Sequence, residues 1–297
     1  MITRQAILKT AFLPLLLGLS ACATKIESTP TSTVTIPPPT ATVTFTPSPI
    51  PPTPTATPLG CLTEPGQVKE DVISSTNPVQ KFLIYLPPCY EAQTDKRYPV
   101  LYLLNGLTYN EDQWVRLGVP GIADQLIHSN EAEPFIVVFP DDPYWNLPPG
   151  DTFGERLINN VIPYVDANYR SIADRNHRAL GGLSRGGGWT VKLGFEHPEL
   201  FGYLGLHSPA ILKDNAPEIE GIVRSIPQES RPRLWFDIGD HDRELGQAFL
   251  LEEILTHNNY LHEFYLFSGD HSEVYWSAHV EAYLRWYTTA WSESATQ

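Results

Sequence analysis

Short apolar runs alternate with amphipathic stretches along most of the chain. The runs Lys81–Leu86, Val100–Leu104, Phe135–Phe139, Ala179–Leu183, Tyr203–His207, Leu234–Ile238 and Glu263–Phe267 are short and largely apolar, as strands of a parallel sheet are. The central ones are apolar throughout, as strands covered on both faces must be. Between them, apolar positions recur at helical spacing, which predicts helices over Ile122–Ser129, Phe153–Asn168, Gly187–Glu196, Leu245–His257 and Val274–Thr288. Proline punctuates the gaps at Pro134, Pro140, Pro198 and Pro232. No internal repeat interrupts the βαβα order. That order predicts an α/β domain on a mostly parallel, doubly wound sheet flanked by helices, with its site at the carboxyl ends of the strands.

The first residues read as an address. Arg4 and Lys9 form a basic start, Ala11 to Leu19 an apolar segment well short of the ~20 residues a spanning helix needs. Leu19-Ser20-Ala21-Cys22 follows and resembles a bacterial lipobox, in which the cysteine thiol is acylated before cleavage. Residues 1–21 are therefore expected to be a lipoprotein signal peptide and Cys22 the lipidated first residue of an exported chain, at the cell surface or in the periplasm. The alternative is an ordinary signal peptide with an incidental cysteine. Residues 22–59 are expected to be a linker, since Thr29 to Pro58 is dominated by threonine and proline. Such a composition cannot bury enough apolar surface to offset its ordering entropy. Extended at roughly 3.1 Å per residue, about 30 residues of it reach up to ~90 Å. The remainder, 60–297, has the size of one α/β domain.

Charge narrows the partners. With 20 basic and 34 acidic residues the net charge is −14, which argues against nucleic acid or an anionic membrane surface and leaves the N-terminal lipid as the expected membrane contact. The chain has three cysteines; with Cys22 acylated, Cys61 and Cys89 remain, and export favours a disulfide between them over two unpaired thiols.

Gly182-Leu183-Ser184-Arg185-Gly186 lies between an apolar strand and an amphipathic run, the context that a nucleophile elbow requires. Such a turn projects the Ser184 hydroxyl from the top of a sheet, with a helix N-terminus beneath developing negative charge. The hydroxyl needs a base. In the order serine, acid, histidine of α/β-hydrolases, His271 in Ser268-Gly269-Asp270-His271 falls at a strand end near the C-terminus and is assigned as that base. His241 and His207 compete less well, the first lying in the acid loop and the second preceding it. For the acid, Asp242 is favoured over Asp240 because it lies further into its loop, and Asp237 sits inside a strand, where burial without partners is costly. The Asp240-His241-Asp242 cluster suggests a metal, but no HExxH or spaced histidine pair accompanies it, so no metal site is expected. The oxyanion donors are expected at the backbone N–H groups of Arg185 and of Leu107, in the loop Asn105-Gly106-Leu107.

Tyr102–Leu107, Ile162–Tyr169, Gly181–Gly187, Gly239–Asp242, and Gly269–His271 with Trp276 together resemble the Putative esterase family, whose members include esterase D, feruloyl esterases, enterochelin esterases and mycolyltransferases. The resemblance runs from about Phe82 to Trp286. It implies an α/β-hydrolase fold, no cofactor, the triad Ser184, Asp242 and His271, and oxyanion donors at Leu107 and Arg185. It further implies a serine carboxylic-ester hydrolase, with acyl or feruloyl esters of carbohydrates or small alcohols as substrates. An acyltransferase on the same residues and a non-catalytic surface binding module are the alternatives. Asn105 departs from the His-Gly common in the family's oxyanion loop, which touches substrate fit more than a hole built of backbone groups. Trp114, Tyr144 and Trp145, with Asn146, are expected either to wall the substrate pocket or to pack beneath it.

Overall fold

The computed structural model describes residues 60–143, 153–211 and 218–294. Eight strands form one sheet: β1 (Gln67–Ile73), β2 (Gln80–Leu86), β3 (Val100–Leu104), β4 (Ile136–Pro140), β5 (Arg178–Leu183), β6 (Tyr203–His207), β7 (Arg233–Gly239) and β8 (Glu263–Phe267). Their spatial order is β1-β2-β4-β3-β5-β6-β7-β8, with β3 to β8 parallel and the first two strands antiparallel. This is the mostly parallel sheet that the sequence pattern predicts, in the α/β-hydrolase fold that the family resemblance implies. Strands β3 to β6 are buried at every position because helices cover both faces.

On one face lie α1 (Gln113–Arg116), α2 (Val119–His128) and the long α8 (Glu273–Ser294), which share a core containing Trp114, Phe135, Tyr283 and Tyr287. The other face carries α3 (Phe153–Arg156), a π turn over Leu157–Val161, α4 (Ile162–Asn168), α5 (Arg185–Glu196), α6 (Ile219–Ser225) and α7 (Leu245–His257), around a core containing Phe82, Val138, Phe201 and Phe236. A disulfide joins Cys61 to Cys89, their Cα atoms 5.1 Å apart.

Strand β1 is absent from the apolar pattern for a physical reason. Its residues Gln67 to Glu70 stay exposed on an edge, so nothing selects for apolar side chains there. Helix α5 begins at Arg185, two residues before the amphipathic run, because Gly186 and Gly187 hide its first turn from any hydrophobic periodicity. The Cys22 thiol, the residues read as signal and linker, and Tyr144, Trp145 and Asn146 lie outside the described residues. No helix among the described residues is long and apolar enough to cross a membrane.

Candidate active site

The carboxyl ends of β3, β5, β7 and β8 bring the chemistry together. Ser184 follows β5 with φ 52° and ψ −118°, a conformation that costs on the order of 1–3 kcal/mol for a residue with a Cβ. The surroundings hold it there. Its N–H donates to the His207 carbonyl at 3.0 Å, and its own carbonyl accepts from Gly188 and Ala210 at 3.0 and 2.9 Å. Gly182 and Gly186 make the turn possible, since a Cβ on the first would stand 2.3 Å from the Gly186 carbonyl carbon, and one on the second 2.2 Å from the Leu104 oxygen.

The Ser184 hydroxyl donates to His271 Nε2 at 2.8 Å. Across the ring, Nδ1–H donates to Asp242 Oδ1 at 2.8 Å and Oδ2 at 2.9 Å. Burial on its own would raise the Asp242 carboxyl, but the imidazole and the Glu244 N–H (2.8 Å to Oδ1) hold it below the usual carboxylate range. It is therefore an anion at neutral pH and can stabilise an imidazolium. The competing acid Asp240 bonds instead to His241 Nδ1 (2.6 Å) and to the Gly269 N–H (3.0 Å), and the His241 side chain is 78% exposed. These two residues shape the loop and stay apart from Ser184.

The loop Asn105-Gly106-Leu107, where an oxyanion donor is expected, is held by the side chains of Asn105 and Gln113. Gly106 lies against Ser184, its Cβ direction 3.6 Å from Ser184 Cβ. Its carbonyl accepts from Asn105 Nδ2 at 3.0 Å and from the Tyr109 N–H at 3.3 Å. The peptide is planar and trans, so turning this carbonyl into the loop turns the Leu107 N–H outward. Asn105 also donates to the Tyr109 carbonyl at 2.9 Å, a local clasp that gives the departure from His-Gly a structural role. Arg185, first residue of α5, has its N–H beyond reach of any intrahelical acceptor, as every N1 position does. Arg185 directly follows Ser184 in the chain, and Gly106, which precedes Leu107, lies beside it.

A profile described as "Putative esterase" matches residues 73–287. The chain belongs to that family.

Among curated relatives, this chain is 38% identical over 145 residues to the endo-1,4-beta-xylanase/feruloyl esterase of Xylanibacter ruminicola, covering 45% of this chain and 20% of the relative. The chain thus spans about a fifth of that protein's length. Among solved structures, it superposes on a ferulic acid esterase with TM-score 0.68 and 24% identity, covering 76% of this chain and 98% of the other, a likeness of fold. The ferulic acid esterase of Anaeromyces mucronatus, in a structure without substrate, gives TM-score 0.65 and 26% identity over 77% of this chain and 91% of that one.

Of the two roles expected for Trp114, the structure shows packing. The residue does not wall a pocket: it is 1% exposed, sits in α1, and its indole N–H donates to the Leu104 carbonyl at 2.9 Å while the ring packs edge-on against His207 and Tyr283. An indole in that position braces the carboxyl end of β3. Asp237 is buried but well paired, accepting from His207 Nδ1 (2.7 Å), Trp235 Nε1 (3.0 Å), and the hydroxyls of Tyr275 and Tyr283 (both 2.8 Å). Several kcal/mol of desolvation for a carboxylate is thereby offset by charge-assisted hydrogen bonds. Burial and the Asp237 charge push both tyrosines far above the usual phenol range, so they remain donors at any working pH.

Asp142, which the pattern does not single out, follows β4 and accepts at Oδ2 from Arg185 Nε (2.8 Å) and Trp189 Nε1 (2.9 Å), tying the start of α5 to the end of β4. The only cue was its place just past an apolar strand. Beside it, burial, then Glu111 and Asp142, push the Asp141 carboxyl up to about 7. The folded chain then keeps this proton up to about pH 7, whereas the unfolded chain releases it near ~4. The folded state binds more protons between those limits, so the group lowers stability as pH rises through them. Asp141→Asn is expected to raise stability at pH 8 by roughly 1 kcal/mol after discounting for solvent screening, seen as a higher melting temperature, and to change little at pH 4. Paired thermal melts at the two pH values check this.

Proposed function

We propose that the chain is a serine carboxylic-ester hydrolase acting through an acyl-enzyme on Ser184. The observation that carries this reading is the unbroken line from Asp242 through His271 to the Ser184 hydroxyl, with 2.8 Å at each link. As Ser184 Oγ attacks the ester carbonyl carbon, its proton passes to His271 Nε2, and Asp242 stabilises the imidazolium. The carbonyl oxygen, now negative, meets the N–H groups of Leu107 and Arg185, each typically supporting about 2.7–4 kcal/mol of transition-state stabilisation. Collapse expels the alcohol, which takes the proton from His271. Water then attacks the acyl-enzyme, giving its proton to the same nitrogen, and the acid leaves as Ser184 regains its hydrogen.

The substrate reading is narrower. Feruloyl esterases recur among the similar proteins, which supports acyl or feruloyl esters of carbohydrates. Export through residues 1–21, lipidation at Cys22 and a linker over 22–59 would hold such an enzyme at a bacterial surface near polymeric substrates. A panel of acetyl, feruloyl and longer acyl esters, assayed with and without a sugar acceptor, tests it. Preferential release of ferulate, unchanged by acceptor, is the expected result. Acyl transfer outrunning hydrolysis would replace the hydrolase with a transferase, and hydrolysis of none of the esters would favour a binding module.

A further inference from the structure

The oxyanion loop and the histidine loop are joined by two side chains that the triad does not include. Gln113 is fully buried in α1, and its Oε1 accepts from the Gly106 N–H at 2.8 Å. That bond fixes which end of the amide faces the loop, because only the oxygen can accept. The other end, Nε2, therefore points to Glu273 Oε1 at 3.2 Å. Glu273 opens α8 two residues after His271, and both its oxygens also accept from Arg116 at 3.1 and 3.2 Å.

The two peptide planes flanking Gly106 are thus clamped separately, one by Asn105 and Tyr109 at the carbonyl, the other by Gln113 at the N–H. The first sets the direction of the Leu107 N–H. The second is anchored, through Glu273, to the segment that carries the base. We infer that Gln113 is a positioning residue, a strut gripped by Glu273 that holds the oxyanion donors in register with His271. The inference rests on the hydrolase reading above. Its chemistry is directional: the strut needs an acceptor facing Gly106 and a donor facing residue 273.

That directionality supplies the test. Gln113→Glu keeps the acceptor for Gly106 but sets two carboxylates against each other, so kcat for a nitrophenyl ester is expected to fall about 10-fold or more with KM changed less than about 3-fold. In Gln113→Glu/Glu273→Gln the amide and carboxylate exchange places, the donor is restored, and kcat is expected to recover to within about 3-fold of the wild type. Glu273→Ala, at a partly exposed side chain, leaves the core intact and is expected to lower kcat about 3-fold to 10-fold at constant KM. A wild-type kcat in Gln113→Glu or in Glu273→Ala overturns the strut, as does a double variant no better than Gln113→Glu. Should Gln113→Glu fail to fold, Glu273→Ala decides alone. Fluorophosphonate labelling separates the levels. An unlabelled wild type sinks the hydrolase reading, whereas a labelled wild type with unaffected variants sinks only the strut.

Discussion

Ser184→Ala is expected to lower ester hydrolysis by about 10⁴-fold or more, while leaving KM and the thermal midpoint close to those of the wild type. The chemistry behind that size is specific. Without Oγ no acyl-enzyme forms, so the residual rate comes from water attacking a substrate already held beside the oxyanion donors. The backbone at 184 costs energy to hold, and alanine there keeps the same Cβ and the same strain, so relief of strain does not confuse the measurement. The hydroxyl makes one hydrogen bond, to His271, and its loss strands no buried charge. Steady-state kinetics with a chromogenic ester, alongside a thermal melt, checks both halves. A variant retaining a tenth of wild-type activity would remove Ser184 from the mechanism.

The second large effect separates the base from its support. His271→Ala should match Ser184→Ala, because an unactivated hydroxyl is nearly inert. Asp242→Asn should cost less, about 10²-fold to 10⁴-fold, since the imidazole stays in place but loses the anion that fixes its tautomer. The double variant Ser184→Ala/His271→Ala should be scarcely worse than either single one, as expected for groups acting as a unit. Additive losses, measured as kcat/KM over the three variants, would mean that the two residues serve separate steps.

Much of this arrangement is readable in the chain because strand ends and glycines mark it. The apolar run Ala179–Leu183 and the flanking glycines announce the elbow, and Asp242 and His271 each follow a strand in the expected order. Helix α7 also matches its periodic stretch at both ends. The unread parts share a cause: they depend on partners remote in sequence. Trp114 lies in a short segment that looks like a loop, and only packing against His207 and Tyr283 reveals it as core. Gln113 and Glu273 are 160 positions apart, so no local pattern could pair them. Asp237 inside β7 is tolerable because Trp235 beside it, His207 from β6 and two tyrosines from α8 all donate to it. Strand β1 escaped notice because an exposed edge imposes no apolar alternation.

One covalent experiment reaches the centre of the account. Purified protein is treated with a fluorophosphonate at neutral pH, digested, and the adduct located by mass spectrometry. One adduct per chain, on the peptide containing Ser184, lost in Ser184→Ala and strongly slowed in His271→Ala, is the predicted result. A label on another residue, or none at all on a folded and hydrolytically active protein, would contradict it.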